Sequence, residues 1–347
     1  MAEITRVAAI GVNHWHALYD AAYLLMLKNM PDVEIVALQD DDESRARERV
    51  EKLAIADPAK APKVYTDYRR MLDETRPDFV LALGKPTDMA ATAHHLLDRG
   101  WIWMLRFQKN LASVGIAFMP EGTPGPGTNT PVRDPRLSSA NPDEAWRAWL
   151  DRYPSVAELL APAKVAATPG RILRAGRLQR RWEKAVGEDW ALLPHTYGFI
   201  DPLHSTGIAF SLCGVERLAN VLGLHWQQPS CSAALRRYEQ AVEREFEMID
   251  RLVHGCYLTL GHFPLFTAYA MLYFVAATTY ERRRIEQGFR EDQFFLAADD
   301  DRWNRLLREL HREVIEWHRA GCGAWPAFPE RVQRAIEPYN QIGRAHV

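Results

Sequence analysis

Cysteine and net charge are both scarce in this sequence. Among its 347 residues, the cysteines are Cys213, Cys231, Cys256 and Cys322. No two of them have CxxC spacing and no histidine cluster lies beside them, so we expect neither a metal site nor a disulfide framework. A reducing cytoplasm suits such a chain. The net charge is −2, without an acidic or basic tail, so we expect no nucleic-acid partner.

Membrane and export signals are also weak. The N-terminus leads directly into a strand-like run, so we expect no signal peptide. Leu258 to Thr278 is apolar and long enough to span a bilayer. It contains His262 and Pro264, however, and its Thr and Tyr residues are spread along it. We therefore predict a buried core helix there and no membrane partner.

The first hundred residues alternate between strand and helix patterns. Short β-branched and apolar runs predict strands at residues 6–10, 33–38 and 77–83, and the segments between and after them predict helices at 17–29, 43–53 and 89–97. Such alternation is typical of an α/β fold with a Rossmann-like, doubly wound parallel sheet.

The first strand ends in a turn that could hold a dinucleotide. Gly11 opens it, but the other two glycines of G-x-G-x-x-G are missing from Gly11–His16. A glycine turn before a helix presents backbone N–H groups to a pyrophosphate, and an acidic residue after the second strand binds a ribose hydroxyl. We therefore predict cofactor contacts from Gly11, Asn13, His14 and Asp40. An α/β unit of unrelated use, with Asp40 as a solvated strand end, is the alternative.

Residues 4–100 resemble the N-terminal, NAD(P)-binding part of the Gfo/Idh/MocA oxidoreductases. The resemblance lies in RVAAIGVNHWHALYDAAYLL, VEIVALQDDD, VYTDYRRMLDETRPDFVLAL and MAATAHHLLDRG. It implies an NAD(P) cofactor. The Glu-Lys-Pro motif that the resemblance requires after the next strand is absent, because Trp101 follows Gly100, and Lys85-Pro86 follows the preceding strand instead. Residues 1–100 would thus be a truncated Rossmann-like unit.

The pattern changes after Gly100. We predict a β-hairpin over 101–119, a Pro/Gly-rich loop over 120–135 and a largely helical region over 136–341. The last residues, 342–347, look like the translation of a synthetic sequencing adapter.

The sharpest local motif runs from Gly198 to Ile208, GFIDPLHSTGI. A strand-like run ends at Asp201, a Pro-containing turn follows, and an apolar helix opens after Ser205. A helix start of this kind offers free N–H groups and a positive dipole end to an anion. The alternative is an ordinary capped helix with Ser205 as the N-cap.

Residues 101–338 resemble the C-terminal part of flavin-dependent halogenases of the tryptophan-halogenase superfamily. The resemblance lies in GWIWMLRF, ATPGRILRAGRLQRRW and DWALLPHTYGFIDPLHSTGIAFSLCGVERLA. It implies a hairpin-plus-helix half of a flavoprotein fold, FAD as cofactor, a small aromatic substrate and a flavin reductase as partner. The implied FAD contacts are Asp201, Pro202, Ser205, Thr206 and Gly207. Thr206 and Gly207 would also form the halide site, and Trp101 and Trp103 match the aromatic pair of a WxWxIP motif.

Three departures from that family stand out. Leu105-Arg106 replaces the Ile-Pro of the motif, and His204 replaces the Glu of halogenases that act on free tryptophan. The FAD pyrophosphate loop and the relay lysine of the front half are absent, so the chain could be inactive and no catalytic residue is assigned. Further acid–base candidates show no spacing pattern and suit packing or capping roles better: His195, Tyr197, His225, His254 and His262.

Three hypotheses remain open. The chain is a halogenase-like, FAD-dependent oxidoreductase with an incomplete FAD unit; or it is an NAD(P)-dependent dehydrogenase fragment or a non-catalytic cofactor-binding module; or it is a chimera joined between Gly100 and Trp101. The first is the function that we favour, because it covers about two-thirds of the chain.

Overall fold

The computed structural model describes residues 4–12, 23–82, 93–106, 111–119 and 139–339. The chain divides into two compact units. The first comprises residues 1–95 and 102–115, and the second comprises residues 96–101 and 116–347.

A parallel four-stranded sheet forms the first unit, in the order β3-β2-β1-β4. Its elements are β1 (Thr5–Ile10), α1 (Tyr23–Lys28), β2 (Val33–Gln39), α2 (Glu43–Leu53), β3 (Lys63–Tyr65), α3 (Tyr68–Thr75) and β4 (Phe79–Ala82). The strand order reverses at β1, which is the arrangement of a doubly wound α/β sheet. The predicted parallel α/β sheet is therefore confirmed.

The side chains of β1 alternate between two cores. Ala9 packs in a buried cluster with Leu24 of α1 and Leu53 of α2. Ala8, one residue earlier, packs on the opposite face with Met71 of α3. Helices thus cover both faces, which explains why β1 is continuously apolar from Val7 to Ile10 instead of alternating with polar residues.

Helices α2 and α3 both begin at an aspartate that caps exposed backbone N–H groups. The Asp42 carboxylate accepts from the N–H of Ser44 at 3.0 Å. The Asp67 carboxylate accepts from the N–H groups of Arg69 and Arg70. Such capping fixes where each helix starts after its strand.

A second, three-stranded sheet has the order β5-β6-β7. Its strands are β5 (Ala93–Leu97), β6 (Gly100–Arg106) and β7 (Ala112–Phe118), and its residues are divided between the two units. Strands β6 and β7 lie where the sequence predicted the two strands of a hairpin. The helix predicted for residues 89–97 is wrong, because residues 93–97 are a strand in this sheet and such tertiary pairing overrides local helix propensity.

Helices dominate the second unit, as predicted. Its elements after β7 are α4 (Pro142–Arg152), α5 (Pro154–Leu160), β8 (Arg180–Arg181), α6 (Pro194–Tyr197), β9 (Gly198–Phe199), α7 (Gly207–His225), α8 (Cys231–Thr259), α9 (Phe263–Gln287), α10 (Asp301–Arg319) and α11 (Ala327–Ile336). Helix α8 is central, because α7, α9 and α10 all pack against it.

The single helix predicted for Leu258 to Thr278 is wrong. Helix α8 ends at Thr259 and α9 begins at Phe263. Pro264 lies in the first turn of α9, where proline is favoured because its missing N–H would have no partner in the helix. Two helices, α7 and α9, are long and apolar enough to cross a membrane by length and composition alone. Half of the apolar stretch of α9 is buried inside the protein, as is usual for a core helix.

A buried ion pair fixes α7 to α8. Arg217 donates to both carboxylate oxygens of Glu245, with the shorter contact at 2.6 Å. Glu245 is fully buried and also accepts from the backbone N–H of Phe295 at 2.7 Å. Arg217 donates further to the carbonyl of Gln293. These hydrogen bonds join α7 to α8 and to the segment at residues 293–295.

Candidate active site

A cavity of about 250 Å³ lies at the N-terminal end of α7, within the second unit. Its walls come from the end of α6, strand β9, the turn that follows, the first residues of α7 and one face of α8. The lining residues are His195, Gly198, Phe199, Ile200, Asp201, Pro202, Ser205, Thr206, Gly207, Ile208, Phe210, Phe246 and Ile249. The five C-terminal residues predicted to contact a cofactor therefore all line one cavity.

The turn between β9 and α7 is held by its own backbone. The Asp201 Oδ1 atom accepts from the N–H of Leu203 at 2.9 Å, and the N–H of Ser205 donates to the carbonyl of Pro202 at 2.8 Å. Ser205 has a φ of 52°, a left-handed conformation that ends the turn. Thr206, which is buried, occupies the N-cap position and makes no side-chain capping bond. Ser205 is thus not the N-cap residue of α7, contrary to that part of the alternative.

The start of α7 suits an anion. The first hydrogen bond within the helix runs from the N–H of Phe210 to the carbonyl of Thr206. By helix geometry, the N–H groups of the preceding residues have no acceptor in the helix, and the positive end of its dipole lies with them. Gly207 and Ile208, two of these residues, line the cavity.

Gly207 is required here for space and not for an unusual backbone angle. A Cβ atom at Gly207 would lie 2.5 Å from Nε2 of His195. His195 therefore approaches the first turn of α7 closely, and burial together with nearby Arg180 lowers its pKa. His195, which the sequence did not distinguish from other histidines, lies beside the residues predicted to bind halide.

A chain of hydrogen bonds connects the two halogenase-like motifs. The indole N–H of Trp101 donates to the hydroxyl of Tyr257 at 3.1 Å. The Tyr257 hydroxyl donates to Oδ2 of Asp201 at 2.6 Å. Burial raises the pKa of Asp201, and the hydrogen bonds from Tyr257, Leu203 and Trp101 oppose that rise. Tyr257 lies on α8 and was missed by the sequence analysis, because no local pattern distinguishes it from neighbouring aromatic residues.

Trp103, the second aromatic residue of the predicted motif, has different contacts. Its indole N–H donates to the hydroxyl of Ser113 at 3.3 Å. Its ring lies over Gly115, where a Cβ atom would come within 2.0 Å of the ring. These contacts belong to the first unit, whereas those of Trp101 belong to the second. Trp103 thus packs against β7 through Ser113 and Gly115.

His204 lies in the turn but outside the cavity lining. Its Nε2 atom is 3.5 Å from the sulfur of Cys256, and its ring stacks on Tyr273 with centroids 4.4 Å apart. His204 therefore packs against Cys256 of α8 and Tyr273 of α9.

The N-terminal candidates form no comparable site among the residues that the structure describes. Gly11 has a φ of 73°, which only glycine adopts readily. The N–H groups of Gly11 and Val12 both donate to the carbonyl of Gln39, so these two donors are occupied. Asp40 is buried, and its carboxylate accepts from the N–H of Asp42 at 3.2 Å. Asn13 and His14 lie outside the described residues.

The remaining histidine candidates have packing or capping contacts. His225 hydrogen-bonds Ser230, and His262 lies edge-on to Trp317. Nδ1 of His254 lies 2.9 Å from Nε2 of His311, a residue that the sequence did not single out. Tyr197 accepts from Arg181 at 2.7 Å. Within the described part of the chain, no three His, Cys, Asp or Glu side chains are grouped so that they could hold a metal ion.

The fold is that of a mixed α/β protein in which a strand, a turn and a helix start enclose a small site suited to an anion. Residues 79–260, just over half of the chain, match the tryptophan halogenase family. The chain therefore belongs to this family.

Two curated relatives are halogenases. Tetracycline 7-halogenase from Kitasatospora aureofaciens is 30% identical over 273 residues, which cover 72% of this chain and 45% of that protein. Monodechloroaminopyrrolnitrin halogenase PrnC from Pseudomonas fluorescens is 25% identical over 202 residues, covering 56% of this chain and 33% of that protein. The chain spans less than half the length of either relative.

Solved structures of the halogenase PltM share the fold. The complex with ethyl mercury and mercury has a TM-score of 0.56 at 21% identity and covers 77% of this chain and 54% of PltM. The complex of PltM with phloroglucinol and FAD has a TM-score of 0.54 at 20% identity, covering 79% of this chain and 56% of PltM.

The family match corrects one expectation about where the halogenase resemblance begins. We expected it from Trp101, but the match begins at residue 79 and runs across the bond between Gly100 and Trp101. That bond also lies inside strand β6. The predicted Gfo/Idh/MocA resemblance and the predicted join at this bond gain no support from these matches.

Proposed function

We propose that this chain carries the flavin-proximal part of an FAD-dependent halogenase. The cavity between Asp201 and Ile208 is the observation that carries the proposal, because it combines a carboxylate with an anion-accepting helix start. Its volume of about 250 Å³ is below the roughly 300–1,000 Å³ of pockets that enclose a whole ligand. The cavity therefore suits one edge of a flavin and a halide ion, and not an entire dinucleotide.

The residues that line the cavity suit both a flavin edge and a halide ion. A carboxylate can accept about four hydrogen bonds, and those made to Asp201 come from Leu203, Tyr257 and Trp101. Capacity remains for one ribityl hydroxyl group. The helix start at Gly207 would stabilise negative charge on the flavin pyrimidine edge or a halide held by Thr206 and Gly207. Pro202 and Ser205 would complete the contacts.

Reduced FAD, when bound, would supply with O₂ the oxidising power that halide oxidation requires. The protein's own part is to bind and orient. The apolar walls formed by Phe199, Phe210 and Phe246 would exclude water from the oxidised halogen. The pKa of His195 is lowered, so its ring would be neutral near pH 7. The positive end of the α7 dipole would then be the charge that attracts the halide.

The substrate that we propose is a small electron-rich aromatic compound. PltM has been crystallised with phloroglucinol, and this chain carries His204 instead of the glutamate expected for free tryptophan. A flavin reductase as partner and a cytoplasmic location remain predictions.

The proposal is tested by supplying the purified chain with FAD, a flavin reductase, NADH, bromide and phloroglucinol under air. Mass spectrometry of the products should show bromophloroglucinol, at a level that falls when Gly207 is replaced by valine. Product formation equal to that of reductase and FAD alone, together with no binding of FAD, would refute the proposal.

NAD(P) binding by the first unit is a second candidate function. The strand order of its parallel sheet and the position of Asp40 after β2 favour it, whereas the occupied N–H groups of Gly11 and Val12 count against it. A titration with NADPH that protects the chain from heat, and is lost in Asp40→Ala, would support this candidate. The absence of protection would exclude it.

A further inference from the structure

The hydrogen bonds around Tyr257 have a direction that the chemistry of the side chains determines. An indole N–H only donates, so the Tyr257 oxygen must accept from Trp101. The Tyr257 proton is then directed to Asp201, at 2.6 Å. Such a short O–H···O contact is typical of a hydroxyl donating to a charged carboxylate. The arrangement therefore favours the ionised form of Asp201.

Ionisation of Asp201 is opposed by its surroundings. Burial raises the pKa of Asp201, because a charged carboxylate loses hydration in an apolar site. Two titratable groups on α8 face it. Burial and the charge of Asp201 raise the pKa values of both Cys256 and Tyr257, so both groups stay protonated. Of these two, Tyr257 is the one that donates a hydrogen bond to the carboxylate.

We propose that Tyr257 is a positioning residue whose hydroxyl, held by the indole of Trp101, fixes the Asp201 carboxylate in the cavity so that it accepts a hydrogen bond from a flavin hydroxyl group. The flavin part of this statement rests on the proposed function. The link from Trp101 through Tyr257 to Asp201 does not, since it is made by the protein alone. Through this link, Trp101 would help to hold the carboxylate that faces the flavin.

The first test needs no ligand. Aspartate labelled with ¹³C at the carboxyl carbon is incorporated into the full chain, and the Asp201 resonance is identified by its absence in Asp201→Asn. Its titration is then followed by NMR in the wild type and in Tyr257→Phe. We expect the Asp201 pKa to be higher in Tyr257→Phe, because a bond that stabilises the charged form is lost while burial remains.

Tyr238→Phe is the matched control. Tyr238 lies on the same helix, is buried, and donates its hydroxyl to the carbonyl of Leu192 at 2.7 Å instead of to a carboxylate. Its loss should leave the titration of Asp201 unchanged. An Asp201 titration that is the same in Tyr257→Phe as in the wild type, or that moves equally in both variants, would overturn the proposal.

The second test measures FAD affinity by fluorescence quenching as a function of pH. Tyr257→Phe should weaken binding about tenfold at neutral pH, as expected for losing a hydrogen bond to a charged group. As the pH is lowered, the FAD affinity of Tyr257→Phe should also begin to fall at a higher pH than that of the wild type. Trp101→Phe should show the same change to a smaller extent, about threefold.

The two tests separate the failure of each claim. A wild-type chain that binds no FAD, but whose Asp201 titration depends on Tyr257, would refute the proposed function and leave the link between Tyr257 and Asp201 standing. If Tyr257→Phe had the same FAD affinity as the wild type at every pH, the positioning role would be refuted and the proposed function would stand.

Discussion

Two glycine turns, each placed between a strand and a helix, invite comparison. At Gly11 the glycine is needed for its backbone angle, and the first two N–H groups of the turn donate to Gln39. At Gly207 the glycine is needed for space beside His195, and the helix start lines a cavity. The N–H groups of Gly11 and Val12 are used within the sheet, whereas Gly207 and Ile208 at the start of α7 line the cavity.

The difference comes from residues remote in sequence. The Asp201 turn is supported by Tyr257 from α8, and α8 is fixed to α7 by the pair of Arg217 and Glu245. Asp40, the acidic residue near the first turn, accepts from its neighbour Asp42. The acidic group of the second turn is thus held in place by a side chain from a helix distant in sequence.

The largest effect should come from breaking the buried pair that supports the second turn. Arg217→Ala or Glu245→Ala should each lower the free energy of unfolding of the helical unit by about 3–5 kcal/mol, because the remaining charge is left buried without its partner. Urea denaturation followed by helical circular dichroism measures this. Glu330→Ala, which breaks an exposed pair with Arg334, is the control and should cost less than about 1 kcal/mol. Equal losses in both would contradict the account.

A smaller effect is expected at the first turn. Gly11→Ala forces alanine into a φ of 73° and should destabilise the parallel sheet by about 1–3 kcal/mol. FAD affinity should not change. Thermal unfolding and FAD titration of the same variant measure both. If Gly11→Ala removed FAD binding while the sheet remained folded, the first turn would be a cofactor site after all.

A substitution in the second turn should lower FAD affinity and leave stability nearly unchanged. In Gly207→Ala the backbone is unstrained, but the new Cβ displaces His195. We expect FAD affinity to fall about tenfold with little change in stability. Gly223→Ala, on the same helix with open space around it, should bind FAD normally. Adding His195→Ala to Gly207→Ala should restore part of the affinity, because it removes the clash. No recovery would show that Gly207 acts in another way.

The smallest effect is a dependence of stability on pH through His254 and His311. Burial lowers the pKa of both, that of His311 to about 4, with neighbouring His254 adding to the effect. In the unfolded chain the pKa is about 6.5. Unfolding therefore takes up protons between about pH 6.5 and pH 4. The free energy of unfolding that the protein has above about pH 6.5 should decline as the pH falls towards 4.

We expect this decline to be about 1 kcal/mol, because both rings reach solvent. Urea denaturation at several pH values measures it. His311→Gln should flatten the dependence, whereas His225→Gln should not. The same slope in His311→Gln as in the wild type would contradict the assignment.

Local patterns predicted much of the fold. The apolar runs that became β1 and β2 and the periodicity of α2 are short-range features, and the structure confirms them. Strand β5 escaped prediction, because its residues resemble a helix until they pair with β6. The break between α8 and α9 depends on a turn at residues 260–262 that apolar composition conceals.

The candidate site was predicted only in part. Five residues that the resemblance singled out line one cavity: Asp201, Pro202, Ser205, Thr206 and Gly207. The proximity of His195 to Gly207 and the bond from Tyr257 to Asp201 arise from packing between distant segments. No spacing rule in a single sequence contains that information.

The central claim is that the turn at Asp201, and not the turn at Gly11, receives the flavin. The most direct measurement is the dissociation constant of FAD for the wild type, Asp201→Ala and Asp40→Ala under the same conditions. The account predicts FAD binding by the wild type, a loss of about tenfold or more in Asp201→Ala, and no change in Asp40→Ala. A loss confined to Asp40→Ala, or a wild type that binds no FAD, would contradict it.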